Sequence, residues 1–301
     1  MGNLEHLRPE VQEVALKSEH ERMLFVSKPV WLGYNTANQI LDRMCHIMKY
    51  PTKPRIANML VIGEPNSGKT SIANRFTSLH GNNFVNDLDE PNVPVVLINA
   101  PSNPDADLID LAILEKLLIP NCSRGKKGVL TQQTLNSLKN LNVKILLIDE
   151  IHNLFACSAM QQRKIMNHIK NLCNTVEIPI VAFGTEDALN ILHHDKQHRD
   201  RFGVAKLDSW NPNKDFQSFI ATFESILPLR KASKLSSPEK IKLIWMCTKG
   251  STGAVKQLLI ECAHQSIQNG QEAITVDQLK ERHEFLQSEH DRGIWDLRIT
   301  K

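Results

Sequence analysis

The chain has 301 residues, 41% of them hydrophobic and 23% charged, a balance that excludes disordered and fibrous proteins. Its six cysteines (Cys45, Cys122, Cys157, Cys173, Cys247, Cys262) form no C-x-x-C pair, which argues for reduced thiols and against a zinc site or a disulfide framework. The formal net charge of +3 averages over segregated blocks of acids and bases, and segregation of this kind gives a surface direction.

Residues 1–33 read as an N-terminal helical extension of one or two short polar helices, with Val11, Val14, Ala15 and Leu16 too sparse for a core element. The opening Met1-Gly2-Asn3-Leu4-Glu5-His6 has no basic-then-apolar signal pattern, and no apolar run reaches the ~18 residues of a membrane span, so a cytoplasmic protein is expected. From Asn35 to Met48 the residues Ile40, Leu41, Met44, Ile47 and Met48 recur at helical spacing. Pro51 and Pro54 then break the chain.

Strand and helix signals alternate from there. Met59-Leu60-Val61-Ile62 is an apolar run of the kind buried on both faces of a sheet. Ser71 to Leu79 reads as helix, Val93 to Ile98 as strand, and Asp107 to Leu118 and Thr131 to Leu141 as helices. Lys144 to Ile148 is a third strand, Ala159 to Cys173 a helix, Ile178 to Phe183 a fourth strand and Val204 to Leu207 a fifth. This order predicts an α/β domain over 34–211, with a central parallel five-stranded sheet covered on both faces.

After Trp210-Asn211-Pro212 the strand signals stop. Phe216 to Leu227, Pro238 to Cys247, Ala254 to Ile267 and Thr275 to Leu286 predict a small C-terminal helical lid domain over 212–290, followed by a tail at 291–301. Ser237 before Pro238, and Thr275 with Gln278, are helix starts.

The chemistry concentrates in Gly63-Glu64-Pro65-Asn66-Ser67-Gly68-Lys69-Thr70, a complete G-x-x-x-x-G-K-T between a strand and a helix that begins with Ser71. The glycines let backbone N–H groups curl around phosphate, and the helix N-terminus adds positive potential. Lys69 reaches the β- and γ-phosphates, while the Thr70 hydroxyl suits a magnesium ion. Further on, Ile145-Leu146-Leu147-Ile148-Asp149-Glu150 delivers two carboxylates at a strand's C-terminal end, the edge where open α/β sheets bind ligands. Asp149 would complete the magnesium shell, and Glu150 would orient or deprotonate the attacking water. Gly184-Thr185 ends the fourth strand, either as a γ-phosphate contact through the Thr185 hydroxyl or as an ordinary turn. Arg199 and Arg201 precede the fifth strand, where one could reach a neighbouring subunit's nucleotide as an arginine finger or simply face solvent. His152 suits positioning or signalling better than base catalysis, and His193, His194 and His198 lack a third fixed metal ligand nearby.

The charge blocks fall around these motifs. Asp87 to Glu115 carries seven acids and no base, and Lys116 to Ile148 carries six bases and no acid. Within the second block, Arg124, Lys126, Lys127 and Thr131 read as a phosphate-contacting loop without sequence readout, or as a plain basic loop. Pro228 to Ile260 carries seven bases against Glu239 alone; lysines there read as a solvated helical face.

The phosphate loop, the I-D-E-I-H-N-L stretch at Ile148 to Leu154, the Thr185 strand end, the Arg199/Arg201 pair and the helical lid together resemble an AAA+ P-loop NTPase. Met59 to Phe76, preceded by the Tyr34 segment and Pro51/Pro54, is similar more narrowly to the TniB/TnsC-type ATPases of bacterial transposons. The resemblance implies an ATPase using ATP and Mg2+, located at the bacterial nucleoid, that assembles as a homo-oligomeric ring or helical filament around duplex DNA. It also implies a DDE transposase and a TniQ-like target selector as partners, with hydrolysis driving disassembly. It places Tyr34 at the adenine, although a core tyrosine fits as well. Lys256 stands where the lid of such proteins usually has an arginine, and lysine contacts phosphate without a bidentate fork. The alternatives are a replication-initiator or helicase-loader ATPase, and a nucleotide-gated scaffold that binds protein.

Overall fold

The computed structural model describes residues 4–51, 56–81, 91–120, 128–193 and 202–292. The chain divides into two compact units, one spanning Asn35–Asp208 and the other formed by the segments up to Tyr34 and from Ser209 onward.

The first unit is built on five strands, β1 (Asn58–Gly63), β2 (Val95–Asn99), β3 (Ile145–Asp149), β4 (Ile180–Gly184) and β5 (Phe202–Leu207). They are ordered β2-β3-β4-β1-β5, and every paired couple runs parallel. Alternate residues point to opposite faces, and even-numbered ones (Leu60, Ile62, Val96, Ile98, Leu146, Ile148, Ala182) join a single core. That core is closed by Ile109 and Ile113 of helix α5 (Ala106–Lys116), Leu135 and Leu138 of α6 (Val129–Asn140), and Ile165 and Ile169 of α7 (Ala159–Val176). Helices α3 (Asn35–Lys49) and α4 (Lys69–His80) also pack on the sheet. All five residues of β3 and of β4 are buried, which is why both read as unbroken apolar runs rather than alternating ones.

The parallel register brings the strand ends to one edge. Ile62 pairs with Gly184, Ile148 with Ala182, and Asn99 with Asp149. Boundaries differ from the sequence pattern in two informative places. The fourth strand starts at Ile180, because Ile178 N–H closes helix α7 on Cys173 O at 3.2 Å and Pro179 has no donor. The fifth is longer than expected, since β1 offers a partner along its whole length, from Asn58 opposite Phe202 to Gly63 opposite Leu207.

The second unit is helical: α1 (Pro9–Ala15), α2 (Glu19–Ser27), α9 (Lys214–Glu224), α10 (Pro238–Thr248), α11 (Thr252–Gln268) and α12 (Val276–Arg292), with α8 (Glu186–His193) belonging to the sheet unit. Here the expectation of sparse, coreless N-terminal helices needs correcting. Leu7, Val11, Ala15 and Val26 are buried in one cluster with Phe216, Phe223, Leu258 and Leu259. Helices of seven and nine residues cannot stand alone in water, and an i, i+4 pair such as Val11 and Ala15 is enough to dock one. Ser18 and Glu21 form a complete capping box at the start of α2. Arg22, fully buried, meets Glu272 through two hydrogen bonds of 2.6 and 2.9 Å.

Thr275 accepts from Gln278 N–H at 3.2 Å, but the Gln278 amide turns inward to Cys262 O instead of completing the box. Trp210 stacks on Phe219 with ring centroids 4.8 Å apart. Gly250, at φ 74°, passes so close that a β-carbon would lie 2.1 Å from Trp210 O. No helix among the described residues is long and apolar enough to cross a membrane.

Candidate nucleotide site

Gly63 closes β1 and Lys69 opens α4, so the phosphate loop is a strand-to-helix turn. Its glycines are forced by geometry. A β-carbon on Gly63 would come within 2.7 Å of Ser67 Oγ and 2.8 Å of Leu207 O, and Gly68 takes φ 100°. The N-terminus of α4 has no side-chain cap, leaving its first N–H groups to an anion. Glu64, Pro65, Asn66, Thr70 and Ser71 are exposed, whereas Ser67 and Lys69 are buried.

Lys69 Nζ donates to Gly63 O and Glu64 O, each at 2.8 Å. Burial pushes the Lys69 pKa down, against the opposing pull of Glu150, Asp149 and Glu64. A desolvated ammonium held by neutral carbonyls is poised for an anionic ligand.

Asp149, buried at the end of β3, accepts the Thr70 hydroxyl at 2.6 Å through Oδ2 and Glu150 N–H at 2.9 Å through Oδ1. Two motifs 79 positions apart therefore meet. The hydroxyl donates to the carboxylate and keeps its lone pairs for a cation, so the donor set is all oxygen, as magnesium requires. Glu150 adopts φ 54° and starts the 3-10 turn Ile151–Phe155, and its Oε2 lies 3.1 Å from His152 Nε2. Ser67 Oγ, His152 Nδ1 and Thr185 Oγ1 are buried without a hydrogen-bond partner among the described residues. Orphaned polar atoms of this kind call for a ligand or ordered water. They lie on the loop, after β3 and after β4, where the strand ends converge, and Ser67 Oγ and Thr185 Oγ1 fit a nucleoside triphosphate with its metal.

The remaining sequence candidates are each met in their own unit or lie outside the described residues. Tyr34 belongs to the helical unit, where it packs edge-on to Trp210 at 4.8 Å and Phe219 at 5.8 Å; burial raises its pKa, and a hydrogen bond with Thr252 counters this only in part. Lys256 also belongs to the helical unit, on α11, beside Lys28, Phe223 and Ile260 around an apolar groove. The Thr131 hydroxyl is not presented to solvent phosphate: it donates to the fully buried Asp110 at 2.7 Å, which also meets His168 at 3.1 Å. Arg124, Lys126, Lys127, Arg199 and Arg201, with His194 and His198, lie outside the described residues. Part of the Pro228–Ile260 basic block is used internally, Arg230 on Ala15 O at 3.1 Å and the buried Lys240 on Ser233 O and Ile274 O. Sequence reasoning did not pair His152 with Glu150 as its hydrogen-bonding partner; the signal was their i, i+2 placement just past a strand. Nor did it single out Asn99, which ends β2 opposite Asp149 with its side chain exposed.

A P-loop on the central part of a five-stranded parallel sheet, an acidic pair at the end of a second strand, a hydroxyl after a third and a helical C-terminal unit define an AAA+ P-loop ATPase. The profile of the family described as Bacterial TniB protein matches residues 22–212, more than half of the chain, and the chain belongs to that family. No curated protein sequence matches it. Solved structures of the same fold include the Aeropyrum pernix ORC2 protein in ADPNP-ADP complexes, with 10% identity, a TM-score of 0.61, and 86% of this chain and 71% of that one covered. Cdc6p from Pyrobaculum aerophilum follows at 17% identity and TM-score 0.57, covering 83% and 67%. Drosophila ORC bound to DNA gives 13% identity and TM-score 0.60, covering 93% and 69%.

Proposed function

We propose that this ATPase is an ATP-dependent regulator of DNA transposition that oligomerises on duplex DNA. The observation that carries the reading is the TniB match over residues 22–212 on a chain whose Thr70 hydroxyl and Asp149 carboxylate meet at 2.6 Å. ATP binds through Gly63 to Ser71, with Lys69 on the β- and γ-phosphates. Mg2+ is held by Thr70 and Asp149, and supplies charge neutralisation of the phosphates when bound. Glu150 orients or deprotonates water, Thr185 contacts the γ-phosphate, and Arg199 or Arg201 reaches the neighbour's nucleotide. Tyr34 and Lys256 are assigned to adenine and phosphate.

Duplex DNA is held by Arg124, Lys126 and Lys127 through its phosphates, without base readout; a DNA-bound protein among the fold neighbours supports this. Thr131 contributes by fixing the start of α6 beside that basic stretch. The ring or helical filament presents a surface to a DDE transposase and a TniQ-like selector, and hydrolysis disassembles it. A nucleoid-associated protein of the bacterial cytoplasm follows from that role. Electron microscopy of the protein with duplex DNA and ATP tests it: rings or filaments on DNA are expected, and monomers in every nucleotide state would overturn it. The fold likeness to ORC and Cdc6 proteins favours a second reading, a replication-initiator or helicase-loader ATPase. Stimulation of a purified replicative helicase in place of a transposase would select that one.

A further inference from the structure

Glu150 has its main chain fixed by packing, while its side chain is held at one oxygen only. The residue takes a left-handed conformation at φ 54°, which β-carbons disfavour. The 3-10 turn that follows is closed by Asn153 N–H on Glu150 O at 2.9 Å. The end of β4 lies directly under this turn: a β-carbon on Gly184 would come 2.8 Å from Ile151 Cγ2 and 3.7 Å from His152 N. Backbone packing thus sets where Glu150 begins. Its carboxylate, however, ends a flexible side chain that is 44% exposed. His152 is the stiffer of the two, 27% exposed and held on the same turn, and its Nε2 stands 3.1 Å from Glu150 Oε2.

We propose that His152 is a positioning residue for Glu150, a role that rests on the reading of Glu150 as the group that prepares water for attack on ATP. A carboxylate only accepts hydrogen bonds, so the ring nitrogen facing it carries the proton. The Nε2–H bond holds Oε2 and leaves Oε1 to face the water. Nε2 is committed to the carboxylate, and the buried Nδ1 has no hydrogen-bond partner among the described residues. Without this bond the carboxylate samples its rotamers, and the fraction of time spent in the productive one falls. Nucleotide binding, carried by the loop and the α4 N-terminus, does not depend on it.

The test compares ATP turnover by the full chain as wild type, Glu150→Gln, His152→Phe and His152→Gln, with affinity for a fluorescent non-hydrolysable ATP analogue and the 15N shifts of the His152 ring. In His152→Phe, kcat falls roughly tenfold, a fraction of the whole effect of a general base, while KM and analogue affinity stay at wild-type values. His152→Gln recovers most of the turnover, because its amide N–H donates to the same oxygen. The wild-type ring shows a protonated Nε2 whose shift moves in Glu150→Gln. Wild-type turnover in His152→Phe overturns the proposal, as does analogue binding that falls in step with kcat. A Gln variant that melts like wild type yet turns over no better than Phe also overturns it. If the wild type hydrolyses no ATP, the reading of Glu150 fails, and the 15N shifts still decide whether His152 holds it.

Discussion

Lys69 spends its ammonium on two carbonyls of its own loop, so a phosphate must replace those bonds as well as relieve the desolvation of the charge. Charge-assisted hydrogen bonds contribute about 1.5–3 kcal/mol each, and Lys69→Ala is expected to weaken ATP affinity by tenfold or more on that scale. Glu150 behaves differently, because its carboxylate touches neither the loop carbonyls nor Thr70. Glu150→Gln is expected to bind ATP normally and to turn over about 10²–10⁴-fold more slowly. Equilibrium binding of a fluorescent ATP analogue beside steady-state phosphate release separates the two outcomes, and equal losses of binding in both variants would contradict this division of roles. Both residues were legible from sequence, since their chemistry depends on a few adjacent positions. The partner of the Thr131 hydroxyl was not, since Asp110 reaches it from another helix and is itself met by His168 from a third.

At the scale of the element, α2 is tied to the C-terminal helices by the Arg22–Glu272 pair. Burial pushes the Glu272 pKa up, but hydrogen bonds from Arg22 and from Arg230 N–H, with the charges of both arginines, outweigh it and leave the group below its ordinary 4.5. A carboxylate with a depressed folded pKa stabilises fully above its unfolded value and loses that contribution as pH falls through the folded one. The helical unit is therefore expected to lose stability below about pH 4.5, and Glu272→Gln to flatten that acid dependence. Because it strands a buried guanidinium, the same variant is expected to cost about 3–5 kcal/mol at neutral pH. Urea melts across pH measure both, and an unchanged acid limb in Glu272→Gln would show that another group sets it. The pair was invisible in sequence: its partners are separated by 250 positions, and a lone arginine on a polar helix looks solvated.

The whole molecule distributes its charge less simply than the sequence blocks suggest. Asp110 of the acidic block is buried, Asp105 caps α5 by accepting Asp107 N–H at 3.1 Å, and Arg230 and Lys240 are bonded to backbone carbonyls. On the proposed reading, Arg124, Lys126 and Lys127 are the bases that meet the duplex phosphates. Each phosphate contact removed should reduce the slope of log K against log salt by about 0.9. Lys126→Ala with Lys127→Ala is therefore expected to weaken duplex binding and lower the slope by roughly 2. Fluorescence anisotropy over a salt series checks this; an unchanged slope would place the DNA contacts elsewhere.

What the sequence determined by itself was whatever short-range chemistry encodes: the apolar strand runs, the G-x-x-x-x-G-K-T turn, the acidic pair after β3 and the order of alternating elements. These follow from backbone sterics and periodicity over a few residues. Only the tertiary structure decided that Val11 and Ala15 are core, that Tyr34 packs on Trp210, that Arg22 finds Glu272 and that Thr131 meets Asp110. Each of those depends on which distant surface an element buries against. Strand order and the burial of apolar area set that choice, and no local window of residues contains them.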